Sequence, residues 1–287
     1  MTSPTTSSSE RQAPPLDPID APEPRDARHR SLLRAVGAPL TAVVIFVTAW
    51  QLLVASGWRP DYLLPGPAEV AGRLGGILAD PEFWPALART VSRAVIGFAV
   101  AALIGTAVGL AAAGSALLRA SIGSLITGLQ TMPSVVWFPL AILLLGLGEQ
   151  AIAMVVVLGA APSIANGVLS GVDQLPPAYV RLGRVLGAHR VSLYTHIVIP
   201  GALPAYVAGL NQGWAFAWRS LMAGELLVVI PGASGLGNRL GFSQEFGDAA
   251  GLLAHMIVIL VMGMLADRLF STWSHGLRRA RGLAADR

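Results

Sequence analysis

The chain contains no cysteine, and its 20 basic residues are all arginine. The first absence excludes a disulfide framework, a thiolate zinc site and a cysteine nucleophile. The second removes the P-loop lysine that would hold a nucleotide phosphate, so ATP hydrolysis by that route is excluded. Charge is scarce too: Asp, Glu, Lys and Arg make up 13% of the chain, against roughly 25% in an ordinary soluble protein. Hydrophobic residues supply 54%, and the mean hydropathy is +0.62. Such a composition predicts an all-α integral membrane protein, because only helices satisfy their own backbone in lipid without closing a barrel. The net charge of +4 and a pI near 10.3 do not argue for nucleic acid, since the arginines lie scattered between apolar runs. Metal sites are also unsupported: among His29, His189, His196, His255 and His275 no pair has the His-Glu-x-x-His spacing. Gly235 and Gly237 are followed by Leu240, so the third glycine of a dinucleotide fingerprint is missing.

What is present is a succession of apolar segments. Residues 1–34 are rich in Ser, Thr and Pro and are expected to form a disordered cytoplasmic tail. Arg25, Arg28, Arg30 and Arg34 stand too far from the start for a signal peptide and directly precede a first, uncleaved span at about 39–56. Residues 57–85 read as an outer loop with a short amphipathic helix. Further spans are expected at about 88–114, 122–147, 151–171, 203–229 and 251–270, within a transmembrane domain of residues 35–274. The second carries Ala101, Gly105, Gly109 and Ala113 as a small-residue seam, and Pro133 and Pro139 should kink the third. Residues 173–200 form the most polar internal segment, residues 231–248 a Gly-rich outer loop, and residues 275–287 a cytoplasmic tail. Arg119, Arg181, Arg184, Arg190, Arg278, Arg279 and Arg281 join the four early arginines on one side. Counted in the short flanks of the spans, Arg59, Arg73 and Arg239 fall on the other. The positive-inside rule then places both termini in the cytoplasm with six spans.

The polar internal segment holds the most specific spacing. Arg181, Leu182 and Gly183 are followed after three residues by Gly187 and Ala188, and then by Ile197, Ile199 and Pro200. This resembles the loop of permease subunits in ATP-binding cassette importers, which reads Glu-Ala-Ala, three residues, Gly, nine residues, Ile, one residue, Leu-Pro. Arg181 stands where that pattern has its acidic residue, and Gly183 where it has alanine. Leu64-Pro65-Gly66-Pro67, Met132-Pro133, Pro200-Gly201-Ala202-Leu203-Pro204, and Ala223-Gly224-Glu225-Leu226 with Ser234-Gly235-Leu236-Gly237 are similar to the nitrate, taurine and aliphatic sulfonate permeases. The resemblance implies a type I importer fold and a homodimer in a bacterial inner membrane. It also implies two cytoplasmic ATP-binding subunits that carry the ATP and Mg, and an external binding protein delivering a small anion. The chain itself would bind no cofactor and catalyse no reaction. The loop would be the ATPase-coupling element.

Charges at bilayer depth cost several kcal/mol, roughly 2.5–3.5 on insertion scales, unless paired or wetted. Arg219 and Glu225 lie in the fifth span, six residues apart and so on different parts of the helix surface. Both are candidates for the translocation path, with Gln130, Asn166 and Asn211, and Gln212 as a further amide; alternatively Arg219 snorkels or pairs elsewhere and Glu225 anchors the outer end. Trp137, Trp214 and Trp218 read as packing aromatics. The rival readings are a membrane-embedded enzyme such as an intramembrane hydrolase, which would need a serine with a histidine at matching depth, a passive channel, and a permease for a thiamine-precursor-like solute.

Overall fold

A computed structural model describes residues 25–280, which contain helices, turns and loops and no strand. The chain divides into two compact units, Met1–Ser56 and Gly57–Arg287. In the first, α1 spans Arg25–Ala55. Residues 25–34, expected in the tail, are therefore helical: no proline interrupts the run between Pro24 and Pro39, and Arg, Ala and Leu are strong helix formers. The remainder of the expected tail, residues 1–24, and the end of the C-terminal tail, residues 281–287, lie outside the described residues.

The second unit begins with α2 (Pro67–Ala79), the short helix expected in the outer loop, followed by α3 (Phe83–Ala113). The third expected span is broken. Helix α4 (Ala116–Thr131) stops at Met132, Pro133 is extended, a 3-10 turn covers Ser134–Trp137, and α5 runs over Phe138–Leu145. The two arms meet at 101°, because Pro133 lacks the N–H a continuing helix needs and forces Met132 out of helical geometry. Then come α6 (Glu149–Asp173), α7 (Pro177–Val185), α8 (Arg190–Leu193), a π-helical turn at Tyr194–Val198, and α9 (Ile199–Leu227). Helix α10 (Leu236–Glu245) occupies the expected Gly-rich loop, and α11 (Ala249–Ala280) completes the unit.

Helices α3, α6 and α11 are each long and apolar enough to cross a bilayer, and the bent α4–α5 pair qualifies as one broken span. The apolar part of α1, Pro39–Ala55, is shorter. Helix α9 is diluted by Asn211, Gln212, Trp214, Trp218 and Arg219, so the six expected segments are not equal in hydropathy.

Small residues set the packing. Along α3, Gly97, Ala101, Gly105 and Gly109 recur every fourth residue and face α6; a Cβ on Gly109 would come within 2.7 Å of the Val168 side chain. Gly167 of α6 and Gly209 of α9 are so close that a Cβ on either would stand 2.7 Å from the other's Cα. Close backbone approach is how helices gain dispersion contacts in lipid, where no hydrophobic drive operates between them. Ala113, expected in the α3 seam, is only half-buried. Trp214 stacks on Phe270 at 5.6 Å and meets Phe98 edge-on at 5.3 Å, while Trp137 and Trp218 are partly buried against the same core. All three tryptophans are packing aromatics.

Candidate translocation and coupling sites

Glu225, expected on the translocation path, is 0% exposed. Its carboxylate accepts hydrogen bonds from Thr90 Oγ1 at 2.9 Å, Arg93 Nη1 at 2.8 Å and the Gly237 backbone N–H at 3.0 Å. Gly237 lies in the first turn of α10, so the carboxylate sits on that helix's positive end. Thr90 in turn accepts from Leu236 N–H at 2.9 Å. Asn238 accepts from Gly235 N–H at 2.9 Å and donates to the Val228 carbonyl at 3.0 Å and to the Glu225 carbonyl. A side chain at Gly237 would come within 2.5 Å of Glu225 Cβ, which is why the turn over the carboxylate is glycine-rich. The charge is therefore compensated by groups of the same chain.

Arg93 was not legible as a partner from motif spacing. Its guanidinium also reaches Glu149, with Nε to Oε2 at 2.8 Å and Nη2 to Oε1 at 2.5 Å, and donates to the Ala233 carbonyl at 2.8 Å. One side chain thus ties α3 to the start of α6, the end of α9 and the turn before α10. The available signal was depth: a span beginning near residue 88 already places Arg93 in lipid, with the same need for a counter-charge as Glu225. Nearby, Arg239 pairs with Asp80 at 2.7 Å and Arg73 with Asp248 at 2.5 Å. The Arg239 hydrogen bond holds the Asp80 carboxyl below its ordinary 3.8. For Asp248, partial burial pushes upward but is outweighed by the Gly251 N–H and Arg73, and its carboxyl too lies below 3.8.

Arg219 occupies a different face. Ala208, Gln212, Arg219 and Leu226 are exposed, and spacings of four and seven place them on one stripe of α9. The Arg219 guanidinium lies over the Phe216 ring at 5.3 Å, an attraction to the negative face of the ring that offsets part of its desolvation. It lines a groove of about 620 Å³ between α9 and α11 with Trp218, Met222, Met256 and Asp267. Gln212 lines a second groove, about 420 Å³, between α6 and α9, with Asn166, Ser170 and Gln174. Gln130 reaches from α4 to Ser163 of that groove at 3.4 Å. Asn211 is half-buried beside Gln212. The structure thus associates Gln130, Asn166 and Gln212, sets Arg219 two helical turns along the same stripe, and separates Glu225 from all of them. Ser163, Ser170 and Gln174 were missed, though with Asn166 they recur at helical spacing.

At the opposite end of α9, the residues expected to form the coupling loop come together. Pro176 and Pro177 open α7, the latter at a position where its missing N–H costs nothing. The helix ends in a Schellman motif, with Ala188 N–H donating to the Gly183 carbonyl at 2.9 Å and Gly187 N–H to that of Arg184 at 3.0 Å. Gly187 has φ +82°, a conformation glycine adopts without strain. Gly183 is buried, and a Cβ there would press on Ile197 and stand 2.8 Å from Leu193 Cδ1. This contact explains glycine in place of a better helix former and fixes α7 to the π-helical turn. Pro200 lies in the first turn of α9. Arg181 and Leu182 are exposed and Ala188 is half-exposed. Arg119 pairs with Asp173 at this same end.

Helices long and apolar enough to cross a membrane, joined by a polar segment folded into a short rigid helix, are what this fold presents. The chain belongs to the family of binding-protein-dependent transport system inner membrane components, which it matches over residues 105–279. It is 27% identical over 241 residues to the taurine transport system permease protein TauC of Escherichia coli, covering 82% of this chain and 86% of the relative. Identity to the putative aliphatic sulfonates transport permease protein SsuC of the same organism is 29% over 248 residues, covering 83% and 92%. Among solved structures, the inward-facing MetNI methionine ABC transporter superposes with a TM-score of 0.58 at 20% identity, covering 69% of this chain and 98% of that one. That likeness supports the fold.

Proposed function

We propose that this chain is the membrane-embedded subunit of an ATP-driven importer for a small anionic solute of the aliphatic sulfonate, taurine or nitrate kind. The observation that carries the reading is the exposed stripe of α9, where Gln212 and Arg219 interrupt an otherwise apolar surface beside Asn166 of α6. Polar groups at that depth are retained where a wetted path uses them. A guanidinium offers a sulfonate or nitrate two parallel N–H donors, and the neutral amides and hydroxyls beyond it would hold an anion weakly enough to release it. The similarity to the taurine permease TauC and the putative aliphatic sulfonates permease SsuC supports the same solute class.

In this reading two copies face each other across the stripe and alternate between outward and inward access. ATP and Mg are bound by two separate cytoplasmic subunits, and an external binding protein delivers the solute. The arginine distribution supports six spans in a bacterial inner membrane with both termini cytoplasmic. That orientation puts the Arg93–Glu225 assembly outside and α7 inside, where α7 docks on the ATPase. The test is uptake of labelled taurine, an alkanesulfonate and nitrate by proteoliposomes holding permease, ATPase subunit and binding protein. Uptake of one of them requires ATP in the reading proposed; equal uptake without nucleotide supports a channel instead.

A further inference from the structure

Between Asp173 and Glu225 the sequence holds no acidic residue, yet residues 174–200 carry Arg181, Arg184, Arg190, His189 and His196. The tip of this segment is α7. Its outer surface exposes Leu182 at 56%, Val185 at 83% and Leu186 at 78%, flanked by the exposed Arg181 and Arg184. Neither arginine's side chain makes an ion pair with another described residue. Arg184, in the last turn, favours its own helix through the macrodipole; Arg181, mid-helix, has no such role. Apolar side chains this exposed on a short helix beyond the membrane are a surface awaiting a partner.

Resting on the reading of α7 as the docking helix, we infer that the ATPase subunit receiving it has a groove with an apolar floor and an acidic rim, and that Arg181 and Arg184 select that partner. Leu182, Val185 and Leu186 supply the desolvated centre of such an interface, while charges at the rim set encounter rate and reject like-charged alternatives. Because Arg181 stands where the related loop pattern carries an acidic residue, the partner's rim has the opposite sign from one built for that pattern. The permease would therefore discriminate against ATPase subunits whose groove is basic.

The test uses full-length permease in nanodiscs and the purified ATPase subunit with which it supports transport, with binding measured at about 50 and 300 mM salt. Nanodiscs are made with phosphatidylcholine alone and with added phosphatidylglycerol. Arg181→Glu is expected to weaken binding about tenfold at low salt, with Arg184→Glu weaker in effect and both differences shrinking at high salt. Leu186→Asp should weaken binding at either salt. If both arginine variants bind normally while Leu186→Asp does not, the acidic rim is wrong and the docking helix stands. If all three bind normally, the docking assignment fails with it. An arginine effect confined to phosphatidylglycerol discs would assign the side chains to lipid headgroups and overturn the proposal.

Discussion

Arg93 of α3 donates from Nη1 to the Glu225 carboxylate of α9 at 2.8 Å, with Glu225 0% exposed and Arg93 partly buried. A buried ion pair adds little over apolar packing, but removing one member leaves an uncompensated charge, at a cost of about 3–5 kcal/mol. Arg93→Ala and Glu225→Ala should each lower the thermal midpoint of the detergent-solubilised protein sharply. An Arg93→Met, Glu225→Met double variant should recover part of the loss. Additive losses in the double variant would show that the two side chains act independently.

Gly187 is expected to tolerate no β-branched residue. Its φ of +82° costs an L-residue roughly 1–2 kcal/mol, and the Schellman motif that ends α7 depends on it. Gly187→Val should reach the membrane at normal levels yet lose stimulation of ATP hydrolysis by the loaded binding protein. Full stimulation would remove α7 from the coupling route.

The cysteine-free chain allows single cysteines to report orientation. Ser56→Cys and Phe246→Cys should label with an impermeant thiol reagent in intact cells, since Phe246 is 83% exposed beyond α10. Ser115→Cys, at the turn into α4, should label only after permeabilisation. The reverse pattern would invert the topology.

Acid should loosen the α2–α10 end. Asp80 and Asp248 have folded pKa values below 3.8, so their contribution is present above 3.8 and is lost as pH falls through the lower folded values. The thermal midpoint should drop from about pH 6 to pH 3, and an Asp80→Asn, Asp248→Asn variant should start lower and drop less. An equal drop in both proteins would assign the acid sensitivity to other carboxylates.

These expectations divide along what a one-dimensional pattern can carry. Pro133, Pro177 and Gly187 act through local backbone geometry, so the break in the third span and both ends of α7 were legible from residue type and spacing. The Glu225 environment was not, because its partners Thr90, Arg93 and Gly237 come from α3 and α10 and meet only after folding. Depth marked Glu225 as a charge needing compensation but not its partner, and the same criterion, which applies to Arg93 of the second span, does not say that the two compensate each other. Gly183 is the intermediate case: the loop spacing identified the position, but only the contact with Ile197 explains the absent side chain. The start of α1 at Arg25 shows composition overruled by continuity, since a Ser- and Pro-rich tail hid a proline-free helical run from Pro24 to Pro39.

The most direct test of the proposed anion path is ATP-driven uptake by Arg219→Ala and Arg219→Lys in proteoliposomes with ATPase subunit and binding protein. Alanine should reduce uptake at least about tenfold while assembly and binding-protein docking persist, and lysine should restore only part, because it keeps the charge and loses the two-pronged geometry. Normal uptake by the alanine variant would contradict the account and leave Arg219 as a side chain held at the helix surface by Phe216.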